Sequence, residues 1–206
     1  AYDDKPVHLI DIMAGEQMPA GLLYDMTNPN VIKHAFNAQF EIICLSRHFS
    51  FSEQNIIAWF PQWRCTMLHG LYCGYPASLE KSGDALKLPQ DKKKLRTGKT
   101  LIRTFCVPTK PIKANGMRTR TFPRHEPERW ELFKEYCMQD VVTEREIQRK
   151  LSGFPVPDDI QAQWVQDQII NLRGIAVDTQ LAHGAMACDA LIINHLTDEA
   201  TRITGL

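Results

Sequence analysis

From position 127 to 151, the spacing of apolar residues is that of one long amphipathic α-helix. Successive residues of an α-helix are rotated by about 100°, which places Phe133, Cys137, Ile147 and Leu151 in one apolar stripe. Val141 borders this stripe. A helix that carries such a stripe packs it against the rest of the protein. The pattern therefore predicts a helix over 127–151 that belongs to the core.

An ionisable residue, Asp140, lies in the middle of this stripe. Tyr136 precedes it by four residues, so both side chains lie on the same helix face. A carboxylate that points toward the interior needs a cation, several hydrogen-bond donors or a metal ion as a partner. The simpler interpretation is a hydrogen bond between Asp140 and a neighbouring loop, and the more specific one is a catalytic or metal-binding carboxylate.

The remaining patterns predict an α/β domain followed by a helical region. We expect strands at 7–12, 31–36 and 175–177, helices at 38–48, 78–88, 158–172 and 179–196, and a long loop at 106–126. Residues 63–72 fit neither pattern clearly. Within the helix at 38–48, Phe40, Ile43 and Cys44 share a face, and Ser78 is the predicted N-cap of the next helix. Strands early and helices late indicate a first domain at 1–153 and a helical unit at 154–206.

A second group of polar residues falls where the strand at 31–36 passes into the helix at 38–48. Asn37 is placed to cap this helix, and Glu41 lies in its first turn. A carboxylate at a strand end and helix start can reach a cleft beside the sheet. The alternative is that Glu41 only complements the helix dipole and that Asn37 is only a cap.

Composition excludes several classes of protein. The chain has 206 residues, 44% of them hydrophobic, which is enough for a sizeable core. No apolar run has the length of a membrane span, and no signal-peptide pattern is present. The six cysteines form no C-x-x-C pair, which favours free thiols in a reducing, cytoplasmic compartment.

A net charge of zero hides a strong segregation of charge. Between Lys87 and Arg124 there are twelve basic residues and one acid, Asp91, so this basic segment carries +11 and the remaining chain −11. Solvated surfaces normally mix the two signs, whereas one-sided basicity favours a polyanion such as a nucleic-acid backbone. The nucleic-acid-binding residues predicted from this region and from the strand–helix junction are Asn37, Lys92, Lys93, Lys94, Arg96, Lys99, Arg103, Lys113, Arg118 and Arg120.

Taken together, these motifs resemble a known family. Asn-x-x-Phe-Glu at 37–41 and Tyr-x-x-x-Asp at 136–140 resemble the second and third motifs of the DEDD-type 3′→5′ exonucleases in their tyrosine-containing form. The surrounding sequence is similar to bacteriophage-type family A DNA polymerases over nearly the whole chain. The segments that carry this similarity are 28–41, 63–67, 76–80, 101–108, 130–141 and 164–178.

The resemblance implies a ribonuclease H-like exonuclease fold, followed by the start of a polymerase domain. It implies that Asp140 and Glu41 hold Mg²⁺ or Mn²⁺ for two-metal hydrolysis and that Tyr136 orients the attacking water. The partners that it implies are primer-template DNA, a single-stranded 3′ end and other replication proteins in the bacterial host cytoplasm. Glu41 stands where the family more often has Asp, which leaves its role open.

The first motif of the family, Asp-x-Glu, is absent from the chain, since none of its 13 Asp residues begins such a sequence. We therefore expect an internal piece with an incomplete sheet and no exonuclease activity of its own. Three interpretations follow from the sequence. The chain is part of a polymerase that binds and hydrolyses DNA 3′ ends, a non-catalytic DNA-binding domain, or a scaffold in which Asp140 is satisfied by hydrogen bonds.

Overall fold

The computed structural model describes residues 1–92 and 98–205, which form a mostly helical protein with a small parallel sheet. The elements in chain order are α1 (Ala20–Thr27), β1 (Lys33–Ala35), α2 (Ala38–His48), α3 (Glu53–Trp59), β2 (Trp63–Cys65), α4 (Thr66–Tyr72), α5 (Leu79–Ala85), α6 (Gly98–Cys106), α7 (Pro127–Leu151), α8 (Asp158–Arg173) and α9 (Thr179–Thr204). Short 3₁₀ turns lie between several of them.

The sheet consists of β1 and β2, which pair in parallel with Lys33 opposite Trp63 and Ala35 opposite Cys65. The connection between the two strands contains α2 and α3, as parallel strands require a crossover. The predicted strand at 31–36 is thus confirmed in shortened form, and the unclear segment 63–72 divides into β2 and α4. A parallel pair with helices around it agrees with the predicted α/β class.

Residues 7–12 were expected to form a strand, and this prediction is wrong. The segment pairs with no strand among the residues that the structure describes. Near its end, the carboxylate of Asp11 accepts hydrogen bonds from Ala14 N at 3.0 Å and Trp130 Nε1 at 2.7 Å. The side chain that follows the apolar run therefore anchors the segment to α7. The strand expected at 175–177 is also absent, because Gly174 ends α8 with a φ of 73° and an irregular connection follows.

Helix α7 has the predicted limits, but its buried face is rotated from the predicted stripe. Its buried residues are Tyr136, Thr143, Glu144, Ile147 and Leu151. Cys137 was expected in this stripe and is exposed. The face that packs inward is therefore centred on the Tyr136–Asp140–Glu144 row, because α4, α5 and α6 all pack against that side of α7.

Two clusters of side chains hold these helices together. Leu79, Leu88, Ile147 and Leu151 form a buried aliphatic cluster between α5 and α7. At the other end of α7, the rings of Phe105, Trp130, Phe133 and Tyr136 follow one another at centroid distances of 5.0–6.1 Å. α7 is therefore the central helix of the domain.

Helix α2 also buries a different face from the predicted one. Ala38 and Ile42 are fully buried, whereas Phe40 is 64% exposed. Ser78 caps α5 as predicted, its hydroxyl accepting from Lys81 N at 3.5 Å. The six cysteines are free thiols, as expected.

The chain consists of two compact units, residues 1–168 and residues 169–206. The first unit contains the sheet, α1–α7 and most of α8. The second contains the end of α8 and α9, whose side chains are exposed along its length. The predicted boundary after residue 153 concerns the start of a polymerase domain and stays a prediction. Among the described helices, none is both long and apolar enough to cross a membrane.

Candidate functional site

Three polar side chains, Tyr136, Asp140 and Glu144, occupy successive turns on one face of α7. Residues four apart on a helix lie above one another, so this row points in a common direction. Tyr136 and Glu144 are buried, at 5% and 7% exposure, and Asp140 is partly buried. A row of ionisable groups along the inward face of a central helix is the candidate functional site of this chain.

The Tyr136 phenol and the Asp140 carboxylate form a hydrogen-bonded pair. Burial, together with this hydrogen bond, raises the pKa of the Tyr136 phenol well above its usual value. The phenol therefore stays neutral at physiological pH and acts as a hydrogen-bond donor. The sequence prediction that these two side chains point together is confirmed.

Gly98, the first residue of α6, lies directly against the ring of Tyr136. A Cβ added at Gly98 would stand 2.6 Å from Cζ of Tyr136 and closer still to Cε2. Only glycine allows the backbone to approach a ring this closely. The start of α6 therefore covers the phenol, and α6 and α7 are fixed against each other at this point.

Glu41 reaches the same region from the first turn of α2. Asn37, which precedes this helix, adopts a left-handed conformation with φ 65° and turns the chain from β1 into α2. The expectation that the Asn37 side chain caps α2 is wrong, because its side chain makes no capping hydrogen bond to a described residue. Asn tolerates positive φ better than most residues, and its backbone conformation is what the junction uses.

The carboxyl group of Glu41 is in an unusual state for a glutamate. Its Oε2 atom has almost no contact with solvent and accepts no hydrogen bond from a described residue. Burial raises the pKa of Glu41 to about 7, and the negative charge of Glu144 adds to this rise. A hydrogen bond from the backbone amide of Glu41 itself acts in the opposite direction and lowers the pKa. Glu41 is thus close enough to α7 to sense Glu144, one turn beyond Asp140.

Glu144 is a buried carboxylate that sequence reasoning did not select. It accepts a hydrogen bond of 2.5 Å from the hydroxyl of Thr66 on α4, and burial raises its pKa. The signal that could have found it is the spacing of four residues from Asp140, which continues the Tyr136–Asp140 row by one more turn.

The donor atoms gathered here are of the kind that hard divalent cations prefer. Mg²⁺ binds carboxylate oxygens and retains waters, and the orphaned Oε2 of Glu41 is an oxygen of this type. Across residues 1–92 and 98–205, however, no group of three or more His, Cys, Asp or Glu side chains is arranged to hold a metal ion. Glu41 and Asp140 therefore fit a metal in chemistry, without forming a complete set of ligands.

The predicted nucleic-acid-binding residues are distributed over three parts of the chain. Asn37 is exposed at the β1–α2 junction, Lys92 lies in a 3₁₀ turn, and Lys99 and Arg103 are exposed on α6. Lys113, Arg118 and Arg120 lie in the loop between α6 and α7. Lys93, Lys94 and Arg96 lie outside the described residues.

Comparison with known proteins gives one informative match. Over all 206 residues, the chain is 44% identical to a DNA polymerase of Bacillus phage SP02, of whose length it spans 31%. The predicted resemblance of the whole chain to phage DNA polymerases is thus confirmed. No protein-family model and no solved structure matches the chain.

Proposed function

We propose that this chain, the counterpart of about a third of a phage DNA polymerase, is the 3′→5′ exonuclease-like part of such an enzyme and binds DNA 3′ ends. Its first domain is then a ribonuclease H-like fold with an incomplete sheet. In the complete protein, which acts in the host cytoplasm on primer-template DNA, this domain hydrolyses DNA 3′ ends beside a polymerase domain.

The observation that carries the proposal is the meeting of ionisable groups from α2 and α7. Within the row on α7, the Tyr136 phenol donates a hydrogen bond to the Asp140 carboxylate. The negative charge of Glu144, in the same row, raises the pKa of Glu41 on α2. Tyr136, Asp140 and Glu41 are the residues that the exonuclease motifs predict, and Glu144 lies outside those motifs. Buried acids with perturbed pKa values are typical of sites that handle charged substrates or ions.

In this proposal, each residue has a separate role. Asp140 and Glu41 hold Mg²⁺ or Mn²⁺, which when bound would supply positive charge for the phosphate oxygens and a more acidic bound water. The neutral Tyr136 phenol fixes the Asp140 carboxylate through its hydrogen bond and orients the attacking water. The basic residues of α6 and of the following loop attract the DNA backbone.

A second function is favoured by a specific observation: too few metal-binding side chains lie together among the described residues. Because no group of three ligands is assembled among the described residues, a domain that only binds DNA is the alternative. In that case the basic segment still supplies the affinity, and the acids of α7 are satisfied by neighbours such as Thr66. Hydrolysis of DNA 3′ ends by the complete protein distinguishes the two functions, while DNA binding is common to both.

DNA binding is tested by fluorescence anisotropy with a labelled single-stranded oligonucleotide at several salt concentrations. We expect affinity that is indifferent to base sequence and falls steeply with salt, each phosphate contact adding about 0.7 to the log–log slope. Changing Lys92, Lys93 and Lys94 together to Ala should weaken binding equally for all sequences and flatten that slope.

The matched control is Asp140→Ala, which removes one negative charge near the phosphate and leaves the basic segment intact. Its affinity should equal or slightly exceed that of the wild-type chain. A triple lysine variant with unchanged affinity and slope would show that this cluster does not contact DNA. A wild-type chain that does not bind the oligonucleotide at low salt would overturn the proposed function.

A further inference from the structure

The loop between α6 and α7 contains a closed segment, residues 109–119, which we call the Asn115 loop. Thr109 N donates to Thr119 O at 2.9 Å, and the Thr109 hydroxyl donates to Arg118 O at 3.1 Å. These two bonds bring the ends of the segment together. A surface loop that is closed in this way differs from the open, irregular chain expected for a sequence rich in Pro, Lys and Thr.

Inside this segment, the side chain of Asn115 makes four hydrogen bonds. Its Oδ1 accepts from Ile112 N at 3.0 Å and from Arg118 N at 3.1 Å. Its Nδ2 donates to Lys110 O at 2.8 Å and to Arg118 O at 3.3 Å. One amide thus connects both arms of the loop and uses all of its donors and its acceptor oxygen.

The backbone within the loop adopts a conformation that is unfavourable for an ordinary residue. Gly116 and Met117 both have positive φ, at 65° and 58°. A left-handed conformation is costly for a residue such as methionine, and Met117 is 61% exposed, so packing does not explain it. Backbone hydrogen bonds from Gly116 N to Lys113 O at 3.1 Å and from Met117 N to Ile112 O at 2.9 Å form this turn, and the Asn115 side chain joins it to both arms of the loop.

The loop is strongly basic and carries no acid. Lys110 and Lys113 are exposed and Arg118 is partly exposed, and Arg120 follows directly after the closure. From Lys92 to His125 the sequence contains no Asp or Glu. Positive side chains on a loop whose backbone is closed by hydrogen bonds, in a stretch of sequence without carboxylates, match a chain of phosphates.

We propose that the Asn115 loop is a preformed phosphate-binding element for single-stranded DNA, and that Asn115 is its positioning residue. The proposal rests on the proposed function and adds to it the part of the basic segment that binds in a fixed geometry. Asn115 acts through Lys110 and Arg118, whose backbone carbonyls it holds. Without this amide the charges stay, but their arrangement is lost.

The test separates charge from arrangement, because Asn115→Ala changes no charge. If the released loop adopts its binding shape only a tenth to a fifth of the time, single-stranded DNA should bind roughly fivefold to tenfold more weakly. The log–log salt slope should change by less than the value of one phosphate contact, about 0.7. Arg118→Gln, which removes a charge, should lower the slope by about that amount.

The matched control is Asn55→Ala, the same substitution at an exposed asparagine of α3. It should bind DNA like the wild-type chain. A second readout follows the loop itself: trypsin should cleave after Lys113 and Arg118 several times faster in Asn115→Ala than in either wild type or the control, because mobile loops are cleaved preferentially. DNA should protect these sites in the wild-type chain.

The outcomes are distinct. Wild-type affinity in Asn115→Ala, or cleavage of its loop at the wild-type rate, overturns this inference and leaves the proposed function standing. A wild-type chain that does not bind DNA overturns both. If Asn115→Ala does not fold, Thr109→Val decides, since it removes only the bond to Arg118 O and should weaken binding about twofold and quicken cleavage.

Discussion

At the residue scale, the carboxyl group of Glu41 connects the site to a measurable property. Its pKa is raised to about 7, so the folded protein holds this proton over a pH range in which an ordinary glutamate has lost it. Between about pH 4.5 and 7, the folded state binds more protons at this group than the unfolded state does. The contribution of Glu41 to stability therefore falls as pH rises through this window.

The substitution Glu41→Gln keeps the shape of the protonated group and removes the titration. We expect the variant to be more stable than wild type by about 2 kcal/mol at pH 8, and by almost nothing near pH 4.5. This free-energy difference is smaller than the value that corresponds to the whole pKa shift, because the Glu41 side chain keeps part of its contact with water. Urea unfolding at both pH values measures the difference, and an equal difference at pH 4.5 and pH 8 would contradict the assignment.

Gly98 gives a second prediction at this scale. Gly98→Ala forces a Cβ into the ring of Tyr136, so we expect a loss of about 2–3 kcal/mol of unfolding free energy. Gly21→Ala in α1 is the control, because nothing lies within 4 Å of its added Cβ, and it should be neutral or stabilising. In a Tyr136→Ala background the cost of Gly98→Ala should shrink, which a double-mutant cycle by thermal unfolding tests.

The sequence identified Tyr136 and Asp140 from a pattern of four residues, and the structure pairs them. It did not identify Glu144, because a glutamate on a long helix is usually a solvated residue and only the packing of α4 shows that this one is buried. Nor could it show that Asn37 serves through its backbone, since a cap and a left-handed junction favour the same residue type. The metal and DNA roles of these residues stay predictions.

At the scale of elements, helices with clear periodicity or caps were predictable and short ones were not. The limits of α2 and α7 agree with the sequence prediction residue by residue. Helices α1, α3 and α6 were missed, because seven to nine residues hold too few apolar repeats to separate them from loops. The strand expected at 7–12 failed because alternation cannot reveal whether a partner strand exists.

The contact between α4 and α7 includes a buried hydrogen bond, which the Thr66 hydroxyl donates to the Glu144 carboxylate. Thr66→Val keeps the shape and removes the donor, which leaves a buried carboxylate short of a partner. We expect a loss of about 1–3 kcal/mol in unfolding free energy by urea denaturation.

Thr27→Val on exposed α1 serves as the control, since its hydroxyl also bonds helix carbonyls but stays in water. It should change stability by less than about 0.5 kcal/mol. Replacing both partners, with Thr66→Val and Glu144→Leu, should recover most of the loss. A Thr66→Val variant as stable as wild type would mean that water or another group satisfies Glu144.

At the scale of the whole molecule, the chain holds two of the carboxylates that the exonuclease motifs need and lacks Asp-x-Glu. We expect no measurable 3′→5′ hydrolysis of single-stranded DNA by this chain with Mg²⁺ or Mn²⁺, because two metal ions need more anchoring groups than Glu41 and Asp140 provide. Release of labelled nucleotides from a 3′-labelled oligonucleotide measures this. Digestion that disappears in Asp140→Ala would refute it.

The overall architecture was predictable in class but not in proportion. An α/β domain followed by helices agrees with the small parallel sheet and with the helical end of the chain. The extent of the sheet could not be read from the sequence, because each strand is only three residues long and gains its stability from the helices that pack on it.

The central position of α7 has a consequence for the order in which the protein can fold during synthesis. Asp11 cannot form its hydrogen bond with Trp130 until the ribosome has added another 119 residues. Helices α4, α5 and α6 likewise cannot pack against α7 until α7 has been synthesised. At about 5–20 residues per second, a ribosome needs roughly 6–24 s to cover that distance. For that time the nascent chain exposes apolar surfaces that α7 covers in the folded protein, and it is then most accessible to chaperones and proteases.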